Sequence, residues 1–332
     1  MTVTAWRVVV ARHSDVFKDT TTVISPRRET QAPAGRRRGQ GCLTAGKDSL
    51  MIVRFRIAHA VVLLLPVLLA VTGTVRADST DATPTAESAT ISVYFLREER
   101  RGEKLGAAHR EVDAPTTDRA AEAAVRELIE GPTNVEEEAG LTTDVPEETE
   151  VLGLELDETE KLATVDLSAA FAPNGEDAEV ARLAQVVFTL TQFPKIERVA
   201  IAVDGKPLAL RDADGNPIDG PAGRDDYEHL LPLIFLESPA PGDTITSPVR
   251  LWGTANTFEA TFIAEIHDAD GERLAYEVVT ATSGNGFRGT FDVSLSFDSK
   301  QAESGQVVVY EISPRDSARE NEVVVPVRFA AR

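Results

Sequence analysis

Residues 151–167 read Val-Leu-Gly-Leu-Glu-Leu-Asp-Glu-Thr-Glu-Lys-Leu-Ala-Thr-Val-Asp-Leu. Apolar residues occupy alternate positions on both sides of the polar stretch 157–160, namely Leu152, Leu154 and Leu156 before it and Ala163, Val165 and Leu167 after it. A period of two predicts half-buried strands, and a short polar connection between two such strands predicts a hairpin.

On either side of this hairpin, apolar residues recur with the helical period. Both runs are apolar at offsets 0, 3, 4, 7 and 8, which are Ala121, Ala124, Val125, Leu128 and Ile129 in the first run and Val180, Leu183, Ala184, Val187 and Phe188 in the second. One apolar stripe is typical of a helix that lies on a sheet or on another helix. Gly131 and Pro132 end the first helix, and Pro194 ends the second.

Three further runs complete the pattern. Residues 91–96 predict a strand from their β-branched and aromatic content, and residues 199–203 alternate again. A weaker strand is expected at 109–112, after a turn-prone stretch that contains Gly102 and Gly106. The order strand, strand, helix, strand, strand, helix, strand predicts the α+β class: a small α/β sandwich over residues 90–210, with two helices on one face of a mostly antiparallel sheet.

Several short motifs in this block resemble the GerMN domain of sporulation and spore-germination proteins. They are Leu128-Ile-Glu-Gly-Pro132, Gly140-Leu-Thr-Thr143, Val145-Pro146, Val165-Asp-Leu-Ser168 with Phe171, and Val187-Phe-Thr-Leu-Thr-Gln192. The resemblance implies a fold similar to ring-building motifs, an extracytoplasmic location and assembly into envelope complexes. We interpret its matching positions as structural: Gly131, Pro132, Asp166, Ser168, Thr189 and Thr191.

The C-terminal third has a different pattern. Gly, Pro and Asp clusters make residues 211–231 a predicted linker. Strand-like runs then recur every 8–12 residues or so, as in a sandwich, at 233–237, 249–254, 261–267, 273–280, 286–297, 306–312 and 322–329. Because the only cysteine is Cys42, we expect residues 232–330 to form an all-β, disulfide-free, immunoglobulin-like sandwich.

This second block resembles the immunoglobulin-like domain of bacterial spore germination. The resemblance rests on Ser238-Pro-Ala-Pro-Gly242, Ser247-Pro248, Leu251-Trp-Gly253, Phe258-Glu259 and Asp268-Ala-Asp-Gly271. It implies a β-sandwich in an extracytoplasmic setting, without indicating a ligand. Its matching positions, which we again interpret as structural, are Pro239, Gly242, Gly253, Glu259, Asp270 and Gly271.

The N-terminus has the composition of an export leader. Residues 1–77 hold 12 basic and 4 acidic residues, whereas the remainder holds 22 basic and 50 acidic residues. Within 51–77, a basic start, an apolar run of about a dozen residues and small residues predict a signal peptide cleaved after Ala77. Thr74 stands where a lipoprotein would carry the acylated cysteine, so no lipidation is expected there. Residues 1–50 are interpreted as an over-extended reading frame or a disordered N-terminus, and 78–89 as a linker.

Signals for chemistry are weak. The motif Gly284-Asn-Gly-Phe-Arg-Gly289 is followed by strand alternation instead of a helix, which favours a turn over a dinucleotide site. The runs 212–216 and 268–272 begin like calcium loops but lack the sixth-position glycine and the twelfth-position glutamate. Asp166 and Ser168 fit turns better than a catalytic pair. We expect no catalytic residue, no cofactor, no metal and, from the acidic excess, no nucleic-acid partner.

The acidic run Glu136-Glu-Glu138, Asp144, Glu147-Glu148 and Glu150 is interpreted as a solvated loop, with docking of a basic partner as the alternative.

These observations predict a non-enzymatic, exported, bacterial cell-envelope protein. The first domain would scaffold or bind an envelope protein complex or peptidoglycan, and the second would serve as a spacer or binding domain. Membrane contact would come only from an uncleaved leader. Two alternatives stay open: a carbohydrate- or surface-binding protein with exposed aromatic residues, and a hydrolase with His109 or His229 near Asp and Ser.

Overall fold

A computed structural model describes residues 88–171 and 176–331. The N-terminal stretch 1–50, the signal peptide with Ala77, Thr74 and residues 78–87 of the predicted linker lie outside the described residues. Within the described part, no helix has both the length and the apolar character needed to cross a membrane. The described residues are rich in strands and poor in helices, which agrees with the predicted α+β class and its all-β second half.

The first domain contains seven strands and three α-helices among the described residues. The strands are β1 (Ser88–Glu99), β2 (Gly102–Asp113), β3 (Leu141–Thr142), β4 (Val151–Asp157), β5 (Leu162–Leu167), β6 (Arg198–Val203) and β7 (Lys206–Pro207); the helices are α1 (Thr117–Glu130), α2 (Asn134–Glu138) and α3 (Glu176–Leu190). They form two hydrogen-bonded sheets, in the orders β2-β1-β3 and β4-β5-β6-β7, where a single sheet was predicted. Only β5 and β6 pair in parallel within these two sheets.

The two sheets are separate because side chains close the edge of β1 that faces away from β2. β3 pairs only with Leu96 and Arg97 of β1. Closer to the N-terminus of β1, Thr189 Oγ1 accepts a hydrogen bond from the Tyr94 backbone N–H. The Gln192 side chain accepts one from the Ser92 N–H and donates one to the Ser92 carbonyl. Buried backbone groups need such partners, and here α3 and the residues after it provide them.

The second strand extends well beyond the predicted residues 109–112. β2 pairs with β1 along its whole length, from Asp113 opposite Ser88 to Gly102 opposite Glu99. Gly106 therefore lies inside a strand, where a Cβ would come within 2.6 Å of the Leu141 side chain. The strand was predicted, but its start was placed too late, because Gly106 marks a close approach between strands and not a turn.

The hairpin at 151–167 forms as predicted, but Leu152 is exposed where the alternation predicted a buried side chain. A bulge between Val151 and Gly153 shifts the register of β4 against β5. As a result Val151, Leu154 and Leu156 pack on the core, whereas Leu152 is 50% exposed. The bulge changes which side chains face inward, which sequence alternation alone does not reveal.

The second domain contains eight strands, and the seven predicted runs each overlap one of them. They are β8 (Ile234–Ser238), β9 (Thr244–Ile245), β10 (Val249–Ala255), β11 (Thr261–Asp268), β12 (Arg273–Thr280), β13 (Gly289–Leu295), β14 (Ser304–Ile312) and β15 (Arg319–Phe329). The described strands form a three-stranded sheet, β13-β10-β8, and a five-stranded sheet, β12-β11-β14-β15-β9. Residues of both sheets share one apolar core.

A buried carboxylate lies on the five-stranded sheet. The side chain of Glu265 is fully buried and contacts Arg273 Nη1, Arg319 Nη2, Tyr310 Oη and His267 Nε2 at 2.9–3.1 Å. Burial raises the pKa of Glu265, but the hydrogen bonds and the Arg319 charge outweigh burial and lower it to about 2. The carboxylate is thus held ionised by donors from β12, β14 and β15 and by His267 of its own strand.

Replacing Glu265 with glutamine is expected to reduce the free energy of unfolding by about 2 kcal/mol near neutral pH, because charged hydrogen bonds are lost. Since the folded-state pKa lies below the unfolded-state value of 4.5, the contribution of Glu265 is present above that value and is lost as the pH falls toward 2. The deficit of Glu265→Gln should therefore shrink on acidification. Urea unfolding between pH 7 and pH 2.5 measures it, with the exposed Glu272→Gln as control; a pH-independent deficit would contradict this account.

Candidate functional site

The first strand of the second domain contributes to both cores. Along β8, Ile234 and Leu236 point into the core of the second domain, whereas Phe235 belongs to the core of the first. Alternation places successive side chains on opposite faces of a strand, so one strand serves two cores. The ring of Phe235 lies 6.0 Å from that of Tyr94 and 6.4 Å from that of Phe188, centroid to centroid.

A buried polar cluster stabilises the same junction. Glu237, which follows on β8 and faces the first domain, accepts a hydrogen bond from the Tyr94 hydroxyl. Arg224 lies 3.4 Å from Glu237 Oε1 and donates to the Tyr94 hydroxyl at 2.9 Å and to Thr191 Oγ1 at 3.0 Å. Its guanidinium also lies 4.7 Å from the centre of the Phe188 ring. Burial, reinforced by the Glu237 charge and opposed by Arg224, raises the pKa of Tyr94.

The predicted linker 211–231 is folded where it supplies Arg224. A 3-10 helix spans Arg224–Leu230, and Ala222 and Tyr227 are fully buried in the core of the first domain. The chain around these residues falls in one compact unit, Asp78–Arg332.

Two more contacts join the domains: His109 Nδ1 lies 2.8 Å from Asp243 Oδ2, and a Cβ at Gly242 would lie 3.3 Å from the Val135 side chain.

Next to this junction lies a groove of about 800 Å³, which we call the junction groove. The β1–β2 hairpin, residues 228–233, Asn256, Arg288 and the start of β15 line it. Its cationic side chains, among the described residues, are Arg97, Arg100, Arg101, Lys104, Arg288 and Arg319. Five glutamates also line it, so the groove is polar and of mixed charge in a chain whose overall net charge is −20.

Three cations of the junction groove are poorly solvated. Burial lowers the pKa of Arg97, and the charge of Glu99 only partly offsets it. Burial also lowers the pKa values of Lys104 and Arg288. Desolvation disfavours the charged form of a basic group, and for these three cations it outweighs the opposing effect of Glu99 and Glu228.

Four of the sequence-predicted motif positions of the first domain, Gly131, Pro132, Asp166 and Ser168, lie at helix ends or support nearby turns. Gly131 takes φ 85° at the C-terminus of α1, and Pro132 follows it. Asp166 accepts a hydrogen bond from the Gly205 N–H, and Ser168 accepts one from the Glu150 N–H. Thr189 and Thr191, in contrast, reach β1 and Arg224.

Those of the second domain also shape the backbone. Pro239 follows β8 through a cis peptide bond, and Gly253 packs against the backbone of that strand. The Glu259 N–H donates to Asn285 Oδ1. Asp270 and Gly271 form the turn between β11 and β12, in which Asp268 Oδ1 accepts from the Asp270 N–H. The structure therefore does not bring the predicted motif positions together in one site.

The motifs weighed for chemistry have structural surroundings. In 284–289, Gly284 and Gly289 pack against backbone atoms of Ala260 and Ser283, and strand β13 follows. Asp212 and Asp268 accept hydrogen bonds from backbone N–H groups of their own loops. Among residues 88–171 and 176–331, no group of three or more His, Cys, Asp or Glu side chains is placed to hold a metal ion.

Part of the acidic run is buried, against the prediction of a solvated loop. Glu136 is only 3% exposed and forms a bidentate ion pair with Arg110 of β2. A buried carboxylate needs such a partner, and the two residues lie 26 positions apart in the sequence. Glu137, Glu138, Glu147, Glu148 and Glu150 are exposed, as expected.

Sequence reasoning missed the junction groove because its lining comes from six separate segments of the chain. The one local signal is the density of arginines at 97–101, where three of five residues are Arg in an acidic domain. Such a run usually marks a solvated hairpin tip, so it does not by itself predict a site.

Comparison with known families identifies both domains. Residues 92–209 match the family Germane, described as sporulation and spore germination. Residues 233–318 match Gmad2, described as the immunoglobulin-like domain of bacterial spore germination. Both resemblances predicted from the sequence are confirmed, and the chain carries a GerMN domain followed by a spore-germination immunoglobulin-like domain.

Two solved structures are similar to part of the chain. The tandem GerMN domains of the sporulation protein GerM from Bacillus subtilis are 24% identical, with a TM-score of 0.35, over 45% of this chain and 49% of that one. The first GerMN domain of the same protein is 22% identical, with a TM-score of 0.32, over 41% of this chain and 98% of that one. The chain thus spans about half of the tandem structure. No curated protein matches the chain.

Proposed function

We propose that this protein is a non-enzymatic, exported component of the bacterial cell envelope that works by surface contact in a sporulation- or germination-type assembly. The observation that carries the proposal is the pairing of two spore-germination domains in one compact unit with a polar groove at their junction. The GerMN domain scaffolds or binds an envelope protein complex or peptidoglycan. The second domain, whose two sheets pack as an immunoglobulin-like sandwich, holds one wall of the junction groove.

Export supplies the location. The leader 51–77 is cleaved after Ala77, Thr74 carries no lipid, and the protein is secreted or held at the envelope by its partners. Nucleic acid is excluded from the proposal, because the chain after Ala77 holds 50 acidic and only 22 basic residues.

Fractionation and site-specific crosslinking in a native host test this proposal. The mature protein is expected outside the cytoplasm with an N-terminus at Asp78, as determined by mass spectrometry. A photo-crosslinking amino acid at Glu98, in the junction groove, should capture envelope proteins or peptidoglycan, whereas one at the exposed Glu155 on β4 should not. Unprocessed protein in the cytosol, or capture that is equal at both positions, would overturn the proposal.

A specific observation also favours surface binding by the second domain. Phe258 is 58% exposed and Phe287 is 75% exposed, on two loops that are hydrogen-bonded to each other through Asn285. Exposed aromatic rings are the usual platform for sugar rings. A glycan pull-down with the full chain should lose its signal in a Phe258→Ser, Phe287→Ser double variant if this second function holds.

A further inference from the structure

Two arginines that line the junction groove, Arg97 and Arg288, each carry a buried Nε–H without a close hydrogen-bond partner among the described residues. The Nε–H of Arg97 is buried and has no hydrogen-bond partner among the residues that the structure describes. The Nε–H of Arg288 is also buried, and the nearest carboxylate oxygen given for it, on Glu228, lies 3.4 Å away. Buried polar groups are ordinarily satisfied, so two such donors in one groove point to a ligand that carries an acceptor.

The remaining donors of Arg288 fix its position. Nη2 donates to the Pro232 carbonyl at 2.9 Å, and Nη1 donates to Thr254 Oγ1 at 3.2 Å. Lys104 is held in the same way, by donation to the His229 carbonyl. These three bonds end on neutral oxygens, so they position the two cations without adding negative charge; the carboxylate given for Arg288 is that of Glu228, at 3.4 Å.

We propose that the junction groove binds the carboxylate of a short peptide, with Arg97 and Arg288 as its hydrogen-bond donors and Lys104 as a supporting charge. This inference rests on the proposed function, because it specifies what the groove would recognise on a partner. The volume of about 800 Å³ is in the usual range of small-ligand sites. A planar guanidinium suits a carboxylate in both charge and shape.

The glutamates of the groove decide between oxyanions. Glu98, Glu99, Glu228, Glu320 and Glu322 line it alongside the cations. Net charge alone does not separate a phosphate from a carboxylate, because six cations and five glutamates line the groove and both attraction and repulsion grow with the charge of the anion. The same glutamates suit the amine or basic side chain of a peptide, so the mixed lining favours a peptide over inorganic phosphate.

Glu99 would compete with the peptide carboxylate for Arg97 and Lys104. Its charge acts on both Arg97 and Lys104, and burial raises its own pKa while those two cations lower it. An incoming carboxylate would take over part of that pairing. Removing the charge of Glu99 should therefore strengthen binding, an effect that a purely structural role of Arg97 would not produce.

The test is an NMR titration of the full chain that follows the arginine Nε–Hε signals. The probe is N-acetyl-Lys-Ala, which has a free carboxylate and a basic side chain, and its controls are the C-terminal amide of the same peptide and inorganic phosphate. We expect saturable shifts of the Arg97 and Arg288 signals with the carboxylate, and at least tenfold weaker binding of both controls. Arg97→Met should weaken binding at least tenfold and Glu99→Gln should strengthen it severalfold. Arg250→Met should leave it unchanged, since Arg250 is already paired with Asp292 at 2.8 Å.

Absence of saturation, equal binding of the amide, tighter binding of phosphate, or equal effects of Arg97→Met and Arg250→Met would overturn the inference. Glu99→Gln keeps the test decisive if Arg97→Met folds poorly. Envelope crosslinks at Glu98 without peptide binding would refute the carboxylate assignment alone. Peptide binding by a protein that stays unprocessed in the cytosol would refute the proposed function instead.

Discussion

Arg224→Met is expected to reduce the free energy of unfolding by about 4 kcal/mol, because it removes the cation from a buried ion pair and leaves Glu237 charged at the domain junction. The Glu237 side chain is only 7% exposed, and its other partner given by the structure is the Tyr94 hydroxyl. The same change removes the hydrogen bond to Thr191 and the contact with the Phe188 ring. Chemical denaturation measures the loss.

Arg250→Met is the matched control for this variant. Arg250 forms a bidentate pair with Asp292, but both side chains are more than half exposed, and such pairs contribute less than about 1 kcal/mol. Adding Glu237→Gln to Arg224→Met should recover part of the loss, since the unpaired charge is then absent. Equal stability of the two single variants would show that the junction does not depend on Arg224.

Gly253→Ala is expected to cost a similar amount, about 4 kcal/mol or more, through a backbone clash. A Cβ at Gly253 would lie 2.0 Å from the Phe235 carbonyl oxygen and 3.1 Å from the Glu237 nitrogen. To make room for this Cβ, β10 and β8 would have to separate at Gly253, where their pairing already contains a bulge. Because β8 also carries Phe235 and Glu237 to the first domain, the displacement would weaken both cores.

The control for this variant is Gly153→Ala on β4. Gly153 lies in a strand and is exposed, and a Cβ there meets nothing within 4 Å. The free energy of unfolding of the Gly153→Ala variant should change by no more than about 0.5 kcal/mol. A Gly253→Ala protein that unfolds at the same denaturant concentration as Gly153→Ala would refute the close approach of β10 and β8.

Sequence periodicity predicted the elements well where one face of a strand or helix is buried. The stripe Val180, Leu183, Ala184, Val187 and Phe188 is buried as predicted, and the alternation of 199–203 marks β6. Composition misled where a glycine serves packing. Gly106 reads as a turn residue, and its role is visible only once Leu141, 35 positions later, is in place.

The junction could not be predicted from the sequence for a different reason. Ile234-Phe-Leu-Glu237 is a short and mostly apolar run, which indicates a strand but not that its two faces serve two cores. The polar cluster joins Tyr94 to Arg224 and Glu237, 130 and 143 positions away. The junction groove likewise combines residues 97–104 with 228–233, 288 and 319–324. No local sequence pattern encodes such proximity, although the motif residues Thr189 and Thr191 bond Tyr94 and Arg224 of the polar cluster.

The most direct test of the account is ¹⁵N relaxation of the backbone amides, because it measures whether the two domains tumble together. If β8, Arg224 and Glu237 join them rigidly, ordered amides in 92–209 and 233–318 will report one rotational correlation time, that of the combined unit. Two separate and shorter correlation times would mean that the domains move independently, and the junction groove would then not exist as a preformed site.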